Sequence, residues 1–414
     1  MADGRNSLFL HNCSQILTMS GSGLGIVEQG SVLIREDRIL AVGTGLKPEP
    51  DEEVIDCEGC VVLPGFVDSH THLIFGGWRS DEFERRLAGV SYKEIAAAGG
   101  GILSTVRATR TASEEELYQL GLTRLQEMSS WGATTVEVKS GYGLETGAEL
   151  KLLRVARRLA ETGIATVVPT FMGAHAIPPE REKTDYVREI VETMLPAVAE
   201  QRLARFCDVF CENFMFNAEE SRRILEAGRA CGLTPMVHAD EIEPSGGAEV
   251  AARVGAVSAS HLLQPSEAGL RLMAENGVVA VLLPGTYLML REQHRPPVTR
   301  MRELGITMAV ATDFNPGSCT LVSILLAAQL ACLLYGLTVA EALRGITVNG
   351  AKALALDSEC GRLEPAMSAD IVVAAVPDYR HLIYRLGHNP VRMVIRAGRV
   401  VYRCCRSPMG IVQQ

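Results

Sequence analysis

The 414-residue sequence predicts an α/β protein, a (β/α)8 barrel with a small β-sandwich domain formed by both chain ends. Three observations predict it: a repeated unit in the middle of the chain, β-rich runs at both ends, and histidines placed where strands stop. In the repeat, a helix-like stretch ends at a glycine and a short β-branched apolar run follows at once. It occurs at Trp131-Gly132-Ala133-Thr134-Thr135-Val136, at Thr162-Gly163 before Ile164–Val168, at Cys231-Gly232 before Leu233–Val237, at Asn276-Gly277 before Val278–Val281, and at Leu304-Gly305 before Ile306–Val310. Glycine at the first position past a helix takes a left-handed conformation without a Cβ clash, so the chain turns straight into a strand.

The helices also have marked starts. Ser113 with Glu116, Thr146 with Glu149 and Asn217 with Glu220 have capping-box spacing or a near relative of it. Further strands are expected at Gly65–His72, Asp208–Glu212 and Ala256–His261. Strands so regularly interleaved with helices point to a closed parallel barrel rather than to an α+β fold.

The ends read differently. Val32-Leu33-Ile34 and Ile39-Leu40-Ala41-Val42 flank the polar turn Glu36-Asp37, which suggests a small antiparallel hairpin. Near the C-terminus, residues 369–374 and 391–395 are strand-like, and Ala397-Gly398-Arg399 turns into Val400-Val401-Tyr402. The expected division is residues 1–63 and 356–414 as two parts of one β-sandwich domain, with the barrel over 64–355.

Composition narrows the class of partner. A formal net charge of -9 argues against a nucleic-acid or anionic-membrane surface, leaving a small molecule as the expected partner. Met1-Ala2-Asp3-Gly4 lacks the basic and apolar regions of a secretory signal, so a cytoplasmic location is expected, with the 11 cysteines mostly reduced. Cys57-x-x-Cys60 has no second pair at zinc-knuckle spacing. The apolar run Cys319–Leu337 contains Ser323 and Gln329 and lacks a basic flank, so it reads as a buried helix and no membrane span is expected.

In such barrels the C-terminal strand ends carry the chemistry. His70 and His72 close the first predicted strand, and a period of two puts both imidazoles on one face. By itself His-x-His is a weak signal, more often a satisfied polar pair than a metal site. Here His238 ends Met236-Val237-His238, His261 ends residues 257–261, and Asp313 ends Val310-Ala311-Thr312-Asp313, so separate coincidences would be needed on each strand. Three neutral imidazoles and a carboxylate from His70, His72, His238 and Asp313 suit one zinc or iron ion with a position left for water, whose pKa the metal would lower toward neutrality. Glu241 lies three residues past His238, within reach of the same cavity as a proton carrier, although on spacing alone it is as readily a solvated loop acid. His261 is either a further ligand or the donor that steadies a developing oxyanion, and Asp313 is placed to pass a proton to a leaving nitrogen.

In this order, residues 64–72, His238-Ala239-Asp240-Glu241, His261 and Thr312-Asp313 resemble the amidohydrolase superfamily over nearly the whole chain. That resemblance implies a metal-dependent barrel with a sandwich shared by both chain ends. It also implies one Zn(2+) or Fe(3+) per subunit, because the fourth strand region Cys207–Glu212 offers only Glu212 and no bridging lysine. Residues 74–79, 99–102, 137–143, 171–175 and 313–318 are similar to those of the superfamily members that hydrolyse the ring amide of 4-imidazolone-5-propanoate in histidine degradation. The likeness implies that Arg79 pairs with the substrate carboxylate. It further implies that Tyr142, His175 and Glu241 contact the substrate, that Asn315, Gly317 and Ser318 complete the pocket, and that the protein is a homodimer. Another superfamily reading is a nucleobase aminohydrolase with the same metal set, but an uncharged nucleobase needs no carboxylate partner such as Arg79 with Tyr142. A barrel that kept the metal and lost catalysis is a third, disfavoured by Glu241, His261 and Asp313 standing together.

Overall fold

The computed structural model of the chain describes residues 7–90, 94 and 99–404. Met1–Gly4 and the outer ends of the expected sandwich segments, residues 1–6 and 405–414, lie outside the described residues. Short strands open the chain: β1 (Ser7–His11), β2 (Gln15–Leu17), β3 (Ile26–Glu28), β4 (Ser31–Arg35), β5 (Arg38–Gly43), β6 (Glu53–Asp56) and β7 (Val61–Pro64). Eight parallel strands follow: β8 (Phe66–Asp68), β9 (Ala133–Lys139), β10 (Thr166–Ala174), β11 (Phe206–Cys211), β12 (Thr234–Ala239), β13 (Ser258–His261), β14 (Val279–Leu282) and β15 (Met308–Val310). They stand in sequence order in one sheet, with helices between them. The ends of that sheet close on each other through a parallel bridge between Thr71 and Phe314, and through Asp68, whose carboxylate accepts the Thr312 N–H at 3.1 Å and its hydroxyl at 2.6 Å. The result is the expected (β/α)8 barrel.

The last strands are β16 (Ile371–Ala374), β17 (Val391–Arg396) and β18 (Arg399–Arg403). One four-stranded sheet, β5-β4-β1-β6, is N-terminal, and a six-stranded sheet, β18-β17-β16-β7-β2-β3, joins both ends of the chain. Their facing side chains, among them Leu10, Ile16, Val32, Ile34, Ile371 and Ile395, form one buried core, as alternating strands of a sandwich should. The hairpins at Glu36-Asp37 and Ala397-Gly398 have the predicted antiparallel register. Two pairings do not fit a purely hairpin reading, because β1 with β6 and β2 with β7 run parallel. The connections there are longer than a turn, and a local sequence pattern does not reveal which distant strand pairs.

The two chain ends meet at Gly398. It has φ +72°, donates its N–H to the Ala369 carbonyl, and lies so close to the first hairpin that a Cβ would fall 1.9 Å from the Glu36 carbonyl oxygen. Gly398→Ala should therefore destabilise the fold by about 2–4 kcal/mol, from a left-handed backbone plus overpacking. Chemical unfolding checks it, with the midpoint moving to lower denaturant.

All five glycines of the predicted helix-to-strand junctions have positive φ. Ser113 and Asn217 form the predicted capping boxes. Thr146 does not: Glu145 occupies the cap position, and Glu149 turns away to accept the backbone N–H groups of Gly141, Gly143 and Leu144 at 2.7–2.9 Å. A buried carboxylate with three loop donors in reach has no reason to serve its own helix end. The run read as a buried helix is Ile324–Tyr335, largely buried although Leu333 is exposed. Among the described residues no helix is long and apolar enough to cross a membrane, and the ten cysteines there are all free.

Candidate metal centre

The first barrel strand is shorter than expected. β8 stops at Asp68, so His70 and His72 stand on the segment beyond it. The Asp68 contacts with Thr312 hold that departure, and the chain stays extended enough to keep both imidazoles on the cavity side. The His70 carbonyl accepts the Asp313 N–H at 3.0 Å, and the His72 N–H donates to the Phe314 carbonyl at 2.8 Å. The eighth strand region thus fixes the first by backbone bonds between the candidate ligands themselves.

One ring nitrogen each from His70, His72 and His238 lie within 4.8 Å of one another, and all three rings are buried. Asp313 is not part of that tight set, but its Oδ1 stands 3.5 Å from His70 Nε2 and 3.7 Å from His72 Nε2. His261 packs on two of the imidazoles, with ring centroids 5.7 Å from His70 and 5.3 Å from His238. Residues from the first, fifth, sixth and eighth strands thus converge as their strand-end positions imply. At three of these ends the backbone is left-handed at non-glycine residues, Asp240, His261 and Asp313 with φ of 51°, 71° and 53°. Such backbone costs energy and clusters where side chains must be aimed.

The donors fit a cation. His70 Nε2, His72 Nδ1 and His238 Nε2 are buried without a hydrogen-bond partner, a costly arrangement unless something binds there. Burial first, then Lys139 and the neighbouring imidazoles, push His70 well below the usual histidine range, and burial with His175 and His238 does the same to His72. Neutral imidazole is the form that takes a metal. The Asp313 carboxyl is pushed up to about 7 by burial, against hydrogen bonds from Thr286 and Asn315. A nearby positive ion would stabilise the ionised form of this carboxylate.

Three of the four candidate ligands have a partner behind them. His70 Nδ1 lies 2.9 Å from Ser260 Oγ, and the Thr286 hydroxyl donates to Asp313 Oδ2 at 2.5 Å. His238 Nδ1 sits 3.0 Å from Asp208 Oδ2, too far out of line for a full hydrogen bond but a strong electrostatic contact. Sequence reasoning passed over Ser260, Thr286 and Asp208 because each sits inside ordinary strand or helix sequence. Glu137 and Lys139 are given no role by the sequence reading, although their alternation on β9 places two opposite charges on one face.

Glu241 is nearly buried, and its Oε1 stands 3.4 Å from His261 Nδ1. Burial, then repulsion from Asp313, Glu212 and Glu292, raise it well above the carboxylate range, while burial and His238 hold His261 well below its own. Glu212 does not join the imidazole cluster. Its carboxylate accepts the N–H groups of Glu241 and Ile242 at 2.8 and 2.9 Å and the Ser245 hydroxyl at 2.7 Å, so it shapes the loop that carries Glu241.

On the opposite side, His175 stacks on His72 at 4.7 Å, its Nδ1 3.0 Å from the Gly141 carbonyl, with Tyr142 5.3 Å from its ring. Burial lowers His175 to about 3. The carboxylate of Glu149 holds the Gly141–Leu144 loop behind them. Arg79 begins the helix Ser80–Leu87 with its side chain 12% exposed, its Nε unpaired, and Glu82 4.0 Å away. Gly317 is its floor, since a Cβ there would fall 1.1 Å from Arg79 Nη2. Asn315 organises the loop that follows Asp313. Its amide donates to the Asp313 carbonyl and Ser318 Oγ and accepts from the Gly317 and Ser318 N–H groups, so these three residues are occupied in shaping their own loop. A cavity of 280 Å³ opens on the Arg79 side, bordered by Trp78, Arg79, Glu82 and Ser104, while the imidazole cluster itself is closed to solvent.

A parallel barrel with an imidazole cluster at its C-terminal face defines a metal-dependent hydrolase class, and a model of the amidohydrolase family matches residues 61–401. The imidazolonepropionase of Geobacillus kaustophilus is 46% identical over 95% of this chain and 97% of its own length. That of Geobacillus sp. strain WCH70 is 48% identical over 96% of this chain and 99% of its own. A solved adenosine deaminase from Xanthomonas campestris with bound zinc shares the fold at a TM-score of 0.72 and 18% identity, covering 95% of this chain and 92% of that one. The chain belongs to the amidohydrolase family and, within it, to the imidazolonepropionase family.

Proposed function

We propose that the protein hydrolyses the cyclic amide C–N bond of 4-imidazolone-5-propanoate, giving N-formimidoyl-L-glutamate in histidine degradation. The observation that carries this reading is Arg79: a nearly buried guanidinium with an unpaired Nε, seated on Gly317 two residues past the Asn315 that follows Asp313. A buried cation in reach of the site calls for a carboxylate, which this substrate has and a nucleobase lacks.

His70, His72, His238 and Asp313 would hold one Zn(2+) or Fe(3+), with zinc and iron both suited to three imidazoles and a carboxylate. When bound, the ion supplies Lewis acidity that makes a water nucleophilic near neutral pH. Glu241 takes a proton at its carboxylate, which stands 3.4 Å from His261 Nδ1. His261, with Nδ1 toward Glu241, steadies the charge that develops on the ring carbonyl oxygen. Asp313, whose second oxygen is held by Thr286, passes a proton from the attacking water to the leaving ring nitrogen. Arg79 fixes the propanoate, and Tyr142 and His175 wall the ring. The family likeness supports a cytoplasmic homodimer.

Turnover of freshly generated 4-imidazolone-5-propanoate, followed as loss of its absorbance beside guanine, adenine and cytosine, tests the reading. Consumption of the imidazolone alone is expected. Consumption of a nucleobase with the imidazolone untouched would transfer the site to the aminohydrolases.

A further inference from the structure

Inside the barrel, behind the imidazoles, three buried charges sit in a row. Lys139 Nζ lies 2.9 Å from Glu137 Oε1 and 2.8 Å from Asp208 Oδ2, and all three side chains are at most 1% exposed. Burial would discharge the lysine, but the pull of Asp208 and Glu137 outweighs it. Burying three charges is a poor way to stabilise a barrel, since apolar side chains of the same volume serve as well or better. The arrangement makes sense through what each carboxylate does with its other contacts.

Asp208 Oδ2 also faces His238 Nδ1 at 3.0 Å. Facing a carboxylate, that nitrogen carries the proton, which leaves the Nε2 lone pair for the cluster. Glu137 Oε2 accepts the N–H of Thr71, the residue between His70 and His72, at 3.0 Å, while the Thr71 hydroxyl donates to the Glu137 carbonyl at 2.6 Å. The Lys139 N–H donates to the Thr71 carbonyl at 3.0 Å. The lysine is therefore tied to all three histidines without touching any of them. Without its ammonium, Glu137 and Asp208 would be two like charges packed into one apolar interior, and neither could keep its present place.

We propose that Lys139 is a positioning residue for the metal centre: its ammonium holds Asp208 against His238 and Glu137 against the Thr71 peptide, so that the three imidazoles are preset for an ion. The inference rests on the metal reading of His70, His72 and His238, and the experiment separates the two. Metal-free full-length protein, Lys139→Met and Asp208→Asn are titrated with Zn2+ against a chromophoric chelator, with far-UV circular dichroism and thermal unfolding of the metal-free forms as the check on folding. In parallel, nitrogen chemical shifts of 15N-histidine-labelled protein report the His238 tautomer.

Lys139→Met should weaken zinc binding by about 10- to 100-fold, the scale on which partners of metal ligands act. Asp208→Asn, which keeps the shape and the Lys139–Glu137 pair, should weaken it similarly and turn a single Nδ1-protonated His238 into a mixture of tautomers. Zinc affinity within about threefold of the parent in folded Lys139→Met overturns the inference. If that variant does not fold, Asp208→Asn decides: unchanged affinity with an unchanged His238 tautomer overturns it. A parent protein that takes up no zinc removes the metal reading, and the inference with it.

Discussion

Replacing Glu241 by glutamine is expected to lower kcat by about 100- to 10,000-fold, the usual worth of a positioned proton carrier, while metal content stays at the parent level. The amide is nearly the same size and keeps the backbone bonds to Glu212, which run from the Glu241 and Ile242 N–H groups and not from the side chain. What it loses is the ability to accept and release a proton 3.4 Å from His261 Nδ1. His261→Asn should also lower kcat, but through the loss of a donor rather than a base. Comparing pH–rate profiles separates the two: the limb assigned to the base should vanish in Glu241→Gln and persist in His261→Asn. Unchanged rates in both variants would end the proposed division of roles.

The second large effect is expected at Arg79. Arg79→Ala should cost about 2–5 kcal/mol, or roughly 30- to 5,000-fold in kcat/KM, because truncation leaves the substrate carboxylate desolvated and unpaired. The loss should fall mainly on KM if the propanoate is held equally in the ground and transition states. Gly317→Ala should reproduce part of it with the arginine still present, since the added methyl group would overlap Arg79 Nη2 and push the guanidinium off its seat. Steady-state kinetics on the parent and both variants check this. Full activity in Gly317→Ala would mean that the guanidinium does not act from its place against that loop.

The sequence carried the barrel well because its punctuation is local. Each junction glycine such as Gly132 or Gly277 answers a backbone requirement set by its immediate neighbours, and the β-branched run after it states its own conformation. Histidines at strand ends were legible for the same reason, since strand periodicity and the polarity of the barrel decide which way they face. What was not legible depended on partners distant in the chain. The parallel pairings of β1 with β6 and β2 with β7 are decided by packing between two chain ends. Thr146 looked like a cap until the Gly141–Leu144 loop claimed Glu149. The bonds that the Asn315 amide makes within the turn after Asp313 are set by that turn's closed geometry. Asp208 and Ser260 read as strand residues, and only the closed barrel puts them behind His238 and His70.

Ring hydrolysis is expected to depend on a single ion held by His70, His72, His238 and Asp313. The most direct test is to strip the protein with a chelator, add Zn2+ or Fe3+ in measured steps, and follow loss of 4-imidazolone-5-propanoate at each step. No turnover is expected at the start, followed by a linear rise and saturation at one ion per chain. Full turnover by the metal-free protein, or a rise that continues to two ions per chain, would contradict that expectation.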